Sequence, residues 1–342
     1  AKYYVLRCNH EDRYIYVNAD NKLQWAASSY DKAQSRAVWQ FEDIDASVGT
    51  YKMKSLHTQS YLQTISSGNQ VVFGAEGAAM TIASSESVDG AVVFEAGNNN
   101  IGLHAHGSEN RVIGYGNGAG ANHYFFEEVE VVTDIKHDVT MKTKFSSVTL
   151  GYNATVPAGV EAYNAEGLED GYVTLVKVEG EVIPANTPVI LYRTDGDSEA
   201  KTFTFTYTDK TAEKPASTLL GGSLYTKYVQ CDDSDYYKLM IKNGEAKMYL
   251  MYKEFDAEGN SKGETHDGGH IKCSANKIYM RVPGGNETAS FGMRFVDYGT
   301  TDIDDVKGES GDAKTYDLQG RKITEITEPG FYIVDGKRVY VK

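Results

Sequence analysis

Apolar and polar residues alternate in short runs along most of the chain, and Gly, Asn, Ser and Asp interrupt each run before a helical period establishes itself. That pattern predicts strands and hairpins in place of amphipathic helices. Three stretches of the first third begin and end alike: Tyr3 to Ile15, Thr50 to Leu62 and Asn100 to Val112. Tyr4 and Tyr14, Tyr51 and Tyr61, and Ile101 and Arg111 are each ten residues apart, and Ile15, Leu62 or Val112 follows the second member. Each unit then closes on a Phe-Glu pair, in Trp39-Gln40-Phe41-Glu42, Val93-Phe94-Glu95 and Phe125-Phe126-Glu127. A single short sheet cannot bury its apolar face, so a unit copied at this period is expected to close a core with its copies. Three hairpin-rich units of about four strands each predict a β-trefoil over residues 1–133, the first part of an all-β chain.

These landmarks resemble the ricin-type and fascin-like β-trefoil families, whose units start on an aromatic strand, carry a Tyr-Leu type second strand and end on a Trp or Phe strand. The resemblance covers about residues 1 to 131. The Gln-x-Trp of the lectin family is absent, and Trp39-Gln40-Phe41 holds those residue types in another order. Trefoil sugar sites combine an aromatic platform with short amides or carboxylates, because a sugar offers an apolar C–H face and a ring of hydroxyls. In unit one, Asn18-Ala19-Asp20-Asn21 precedes Trp25, and Tyr30 follows in the next loop, so Asp20, Asn21, Trp25 and Tyr30 are candidate ligand residues; a core Trp in front of an ordinary hairpin turn explains them equally. Unit two offers Ser67-Gly68-Asn69-Gln70 with Val72-Phe73 in the aromatic place. Unit three offers Tyr115, Asn117, Asn122, His123 and Tyr124 around a Gly-rich loop. Gly114, Gly116, Gly118 and Gly120 open no helix and lack a Lys-Ser/Thr pair, so they predict a hairpin tip and not a phosphate loop.

Beyond a connection at Asp134 to Asp138, strands are expected at Ser147–Leu150, Tyr172–Val178, Val189–Tyr192, Phe203–Tyr207, Tyr237–Ile241, Lys247–Tyr252, Lys277–Val282 and Phe291–Val296. About eight to ten strands without helical interludes predict a β-sandwich over residues 137–298. The phrases Thr155 to Tyr163, Val182 to Leu191 and Ala275 to Met280 resemble a sandwich module common in exported proteins of the Bacteroidetes, with which no catalytic residue travels. Residues 299–313 are rich in acidic residues and Gly and read as a linker. Residues 314–342 begin Thr315-Tyr316-Asp317-Leu318-Gln319-Gly320-Arg321-Lys322 and end on a hairpin turned at Asp335-Gly336. They are similar to the C-terminal module of many Bacteroidetes exported proteins, some of which use it as a sorting signal. That resemblance implies a secreted or outer cell-surface location.

Composition narrows the partners. The chain has 342 residues, with Lys and Arg numbering 34 against 48 Asp and Glu, a formal net charge of -14 that argues against nucleic acid, whose phosphates need clustered cations. No apolar run approaches the ~18 residues of a membrane span. The sequence opens on a strand at Ala1 with no signal-peptide pattern, as a mature or trimmed chain does. Cys8, Cys231 and Cys273 show no metal-ligand spacing; a Cys231–Cys273 bridge and buried reduced thiols both remain open. His104 and His106 share a strand face, and His266 to His270 forms a polar loop, yet neither group has the further ligands a metal site needs. Cys8 and His10 lack a third orienting group, and no hydrolase phrase occurs, so no catalytic residue, metal or cofactor is expected. The expected function is a non-catalytic, lectin-like carbohydrate-binding protein or accessory region of a glycan-degrading system, with glycans or glycoproteins as partners. The alternatives are a protein-binding trefoil, either protease inhibitor or adhesin, led by loop 114–123, and the non-catalytic C-terminal part of a larger peptidase or glycosidase.

Overall fold

The alternation read from the sequence is realised almost throughout: a computed structural model of the chain is 54% strand and 3% helical. The structure describes residues 2–10, 12–26, 30–45, 47–96, 100–107, 110–195, 199–265, 269–285 and 288–296, then 315–316, 322–323, 330–334 and 337–341. Residues 1–295 form one compact unit and residues 296–342 a second.

A 12-stranded sheet opens the first unit. Its strands are β1 (Tyr4–Cys8), β2 (Arg13–Val17), β3 (Leu23–Trp25), β4 (Trp39–Asp45), β5 (Thr50–Ser55), β6 (Tyr61–Leu62), β7 (Phe73–Gly74), β8 (Met80–Ser84), β9 (Val92–Glu95), β10 (Ile101–His106), β11 (Arg111–Gly116) and β12 (Tyr124–Glu128). Antiparallel pairing closes the circuit β1–β4–β5–β8–β9–β12–β1, a barrel without edges. The pairing repeats with the sequence. Val5 faces Glu127, Lys52 faces Glu42 and Gly102 faces Glu95, so the Glu of each Phe-Glu pair lies opposite one repeat position of the next first strand. The Phe residues of the same pairs meet in a triangle, with ring centroids 5.1 Å apart for Phe41 and Phe126, 5.6 Å for Phe94 and Phe126, and 6.1 Å for Phe41 and Phe94. A pseudo-threefold axis passes through that triangle. Leu6, Met53 and Leu103 hold one repeat position, Ile15, Leu62 and Val112 another, and all are fully buried.

The hairpins β2–β3, β6–β7 and β10–β11 interlock: Leu23 N donates to Val71 O and Val71 N to Val112 O, both at 2.9 Å. Unit three departs from the repeat here. Arg7 pairs with Tyr14 and Lys54 with Tyr61, whereas the corresponding Arg111 pairs with His106 in place of His104. The cause is the turn. Its left-handed residue is Asp12 (φ 51°) and Gln59 (φ 55°) in the first two units but Asn110 (φ 53°) in the third, one place later than the spacing requires. Moving a hairpin turn by one residue slides the pairing by two.

The following residues form the sandwich. A four-stranded sheet of Lys136–Met141, Lys201–Tyr207, Ala154–Thr155 and Val182–Ile183 packs over a nine-stranded sheet that runs from Phe145–Val148 to Leu220–Ser223. Its core takes in residues of the trefoil lobe: Tyr3, Val5, Val38 and Leu56 pack with Ile135, Leu150, Leu191 and Phe205 in one buried cluster, separate from the trefoil's own core. A second cluster, around Tyr237, Met248, Met280 and Phe291, lies farther along the large sheet. Cys273 pairs with Lys227 while Cys231 N bonds Gly269 O, so the two thiols sit on opposite strands about four residues out of step, too far for a bridge. All three cysteines are free and buried.

In the second unit Thr315–Tyr316, Lys322–Ile323, Gly330–Val334 and Lys337–Val341 form a four-stranded antiparallel sheet. The expected linker 299–313 and the turn residues Asp335 and Gly336 lie outside the described residues.

Candidate functional site

Of the candidates of unit one, packing buries Trp25 and Asn21. Trp25 is 3% exposed; its Nε1 donates to His106 O at 2.8 Å and the Arg13 guanidinium covers its ring at 4.1 Å. It is a core residue and offers no face to a sugar. Asn21 takes the left-handed conformation (φ 60°) and is buried, donating through Nδ2 to Phe73 O at 3.0 Å and accepting from Ser60 Oγ at 2.9 Å. The sandwich also covers this turn, since Thr226 N donates to Ala19 O at 2.6 Å. Asp20 stays exposed on the turn, held by its backbone N–H to Asn18 Oδ1 at 2.9 Å. Tyr30 is half-buried and stacked on Tyr16 at 4.9 Å, and burial pushes its phenol up to about 12. In unit two, Gln70 Nε2 donates to Leu23 O and Val112 O, so that loop binds its neighbours.

Unit three is arranged differently, and the slid register is the reason. On one face of β10–β11 the pairs are Gly102 with Tyr115, His104 with Ile113 and His106 with Arg111. Opposite Tyr115 there is no side chain, so its ring leans over His104 with centroids 4.8 Å apart and keeps its outer face in water. Tyr115 is 52% exposed, the one exposed aromatic among the described residues of 1–133. Asn122 is fully buried and braces the loop: its Nδ2 donates to Tyr115 O at 3.1 Å and Gly116 O at 3.2 Å, and its Oδ1 lies 2.6 Å from His104 Nδ1. With Asn122 Oδ1 thereby an acceptor, His104 carries its proton on Nδ1 and leaves Nε2 as an acceptor in the neutral ring. Asn117 Nδ2 donates to Glu95 Oε1 across Gly102, where a Cβ would strike Asn117 Oδ1 and come within 2.7 Å of Phe94 O. Tyr115, His104, Asn117 and Glu95 thus surround one position. Asn122 is a brace, not a ligand. His123 and Tyr124 are buried too; Tyr124 OH donates to Leu103 O at 3.3 Å, and burial raises its phenol well above the ordinary range.

The repeat shows what the other units do with the same position. Glu127 accepts from Lys32 Nζ at 2.8 Å, Arg7 Nε at 3.0 Å and Tyr14 OH at 3.0 Å. Burial pushes this carboxyl up, but the three donors outweigh it and hold the group below its usual range. Glu42 accepts from Tyr61 OH at 3.0 Å and lies 3.8 Å from Lys54 Nζ. Those two stations are closed by their own side chains. Glu95 and Gly102 escaped sequence reasoning, although their signal was present: Glu95 belongs to the repeated Phe-Glu pair, whose register sets it opposite Gly102, two residues from His104.

The remaining candidates fall elsewhere. His104 and His106 have ring centroids 6.5 Å apart, and among the described residues no group of three or more potential ligands could hold a metal. His266, Asp267 and Gly268 lie outside the described residues, while His270 sits on the strand His270–Cys273. Cys8 is buried with Sγ 3.7 Å from Ala121 O. A Ser35–His57–Asn276 chain has the connectivity of a hydrolase triad, with contacts of 2.7 and 2.8 Å, but Ser35 and His57 are fully buried and meet no substrate. Among the described residues no helix is long and apolar enough to cross a membrane.

The closed circuit, the repeating register and the phenylalanine triangle define the strands β1 to β12 as a β-trefoil within an all-β protein. Among solved structures the chain is similar to a Macrolepiota procera ricin B-like lectin in complex with lactose, at 13% identity over 36% of this chain and 94% of that one, with a TM-score of 0.32. It is similar to the Rhizoctonia solani agglutinin at 15% identity over 37% and 94%, with a TM-score of 0.31. Cry35Ab1 aligns over 82% of this chain and 87% of its own at 8% identity and a TM-score of 0.30. The trefoil assignment rests on the strand pairings and not on these likenesses. No family model matches the chain, and no curated protein does.

Proposed function

We propose that the protein is a non-catalytic, lectin-like carbohydrate-binding protein, secreted or held at the outer cell surface, with one sugar site in trefoil unit three. Tyr115 is the platform for a pyranose C–H face, while Glu95, oriented by Asn117, and the His104 Nε2 lone pair meet the hydroxyls. The observation that carries this reading is the exposed Tyr115 ring, which the register slide leaves opposite a glycine and beside the Glu95 carboxylate. Recognition at one site is weak and gains strength from clustered glycans on a surface. The similarity of residues 314–342 to exported terminal modules supports the location, and N-terminal sequencing of native material from culture medium and cell envelope tests it.

A glycan array followed by calorimetric titration tests the site. Tyr115→Ala is expected to weaken binding about tenfold or more, the scale of one lost aromatic contact, without lowering the melting temperature. Tyr61→Ala, in the closed station of unit two, leaves binding unchanged. An array without a binder, or a silent Tyr115→Ala, overturns the assignment. Gly116, Gly118 and Gly120 have open space around them, which favours contact between this loop and a protein as a second reading; a partner retained after deglycosylation selects it.

A further inference from the structure

The trefoil and the sandwich meet over a buried polar seam that neither the barrel nor the sugar site requires. His57, in the turn after β5, is fully buried with Nδ1 2.7 Å from Ser35 Oγ and Nε2 2.8 Å from Asn276 Oδ1. Asn276 comes from the sandwich, and its Nδ2 donates to Thr149 O at 2.9 Å, which orients the amide and makes Oδ1 the acceptor. The same oxygen receives Arg36 Nη2 at 2.7 Å. A neutral His57 therefore bears its proton on Nε2 and accepts the Ser35 hydroxyl at Nδ1. The His137 ring, on Lys136–Met141 of the sandwich, lies 5.0 Å from that of His57.

The charged groups around this pair are mostly cationic. Arg36 faces both rings from the turn Ser35–Ala37, and Lys277 acts on His137 from the strand Lys277–Val282. Tyr16, Tyr30 and Tyr152 face Arg36 with neutral phenols. Asp138 is the carboxylate that acts on His137 among the described residues, and its oxygens already accept Gln34 Nε2 at 2.8 Å and Thr204 Oγ1 at 2.7 Å. Burial first, then Arg36, holds His57 well below the usual imidazole range and His137 at about 4.

We propose that this seam is an acid-operated latch: protonation of His57 and His137 sets two further cations beside Arg36 and parts the trefoil from the sandwich. Both imidazoles bind protons less readily in the closed chain than in an open one. Their support for closure is complete above about pH 6.5 and is lost as the pH falls toward about 4. Opening separates Tyr3, Val5, Val38 and Leu56 from the sandwich residues of their shared cluster. The barrel circuit of the trefoil holds neither imidazole of the pair, so it outlasts the seam.

Small-angle scattering and hydrogen exchange, followed from about pH 7.5 to about pH 4, test the latch. The radius of gyration is expected to rise, and the amides of 56–60 and 151–153 to lose protection, while those of β1, β5 and β10 keep theirs. His57→Gln with His137→Phe removes both titrating rings and is expected to shift this opening to lower pH by about one unit or more. Should that variant not fold at neutral pH, Asn276→Asp places a carboxylate against Arg36 and His57, and its opening is expected below the wild-type pH. A seam that opens together with the barrel, that opens at the same pH in the variant as in the wild type, or that stays closed to about pH 4 overturns the proposal.

Discussion

Replacing Gly114 by Ala tests how firmly the third hairpin is clamped to the second unit. Built on this backbone, the new Cβ falls onto the carbonyl oxygen of Ser66, with Ser66 C 2.6 Å and Ile65 Cγ2 2.9 Å away. Two of those atoms are main chain, so no rotamer relieves the clash and β11 must move. Moving it breaks the bonds from Gly68 N to Gly114 O at 2.8 Å and from Gly114 N to Asn69 O at 3.0 Å. Two buried hydrogen bonds at about 0.5–1.5 kcal/mol each, with about 1–3 kcal/mol of overpacking that partly overlaps them, give a loss of about 2–4 kcal/mol. That is a large fraction of the about 5–15 kcal/mol that holds a domain folded. Gly118, in the same Gly-rich run, has nothing within 4 Å of its would-be Cβ and an ordinary φ. Ala there is expected to be neutral or stabilising by about 0.4–1 kcal/mol, because it restricts only the unfolded chain. Urea unfolding read by the fluorescence of the buried Trp25 and Trp39 separates the two variants. Equal midpoints for Gly114→Ala and Gly118→Ala would refute the clamp.

Asn21→Ala removes the amide donor to Phe73 O and one of the two partners of Ser60 Oγ, which keeps Thr58 Oγ1, and puts Ala at φ 60°, a combined loss of about 2–4 kcal/mol that thermal melting resolves; Asn21→Gly recovers the conformational share alone. Aromatic disulfide reagents are expected to react slowly with the native protein and to count three thiols once it is denatured. Burial pushes Cys273 up to about 11, so at pH near 8 it holds little thiolate, and a fast native reaction at that residue contradicts its placement.

The sequence carried the trefoil because its repeat is written in residues that meet one another. The ten-residue spacing of Tyr4 and Tyr14, and of Tyr51 and Tyr61, marks the arms of successive hairpins, and the Phe-Glu pairs mark the barrel strands that flank them. Once copies are aligned, Phe41, Phe94 and Phe126 have to converge. Trp25 could not be placed in the same way. Whether it faces water depends on Arg13 and on His106 O from another unit, and the turn before it is covered by Thr226, two hundred residues away in sequence. The site at Tyr115 depends on a one-residue delay of a turn, which leaves the apolar pattern intact and changes only which side chains stand opposite. The seam was illegible for a related reason. His57 and Asn276 are 219 positions apart, and neither sits in a phrase that signals its partner.

The apolar cluster shared by Tyr3, Val5, Val38 and Leu56 with the sandwich bears on how the protein can be handled. A trefoil looks like a bead that can be snipped from its string and fused elsewhere. Here the cut after residue 133 would leave a greasy scar on the bead, with Arg36 and His57 stranded in it. An excised trefoil is therefore expected to stick to itself, and binding assays are better run on residues 1–295 as one piece.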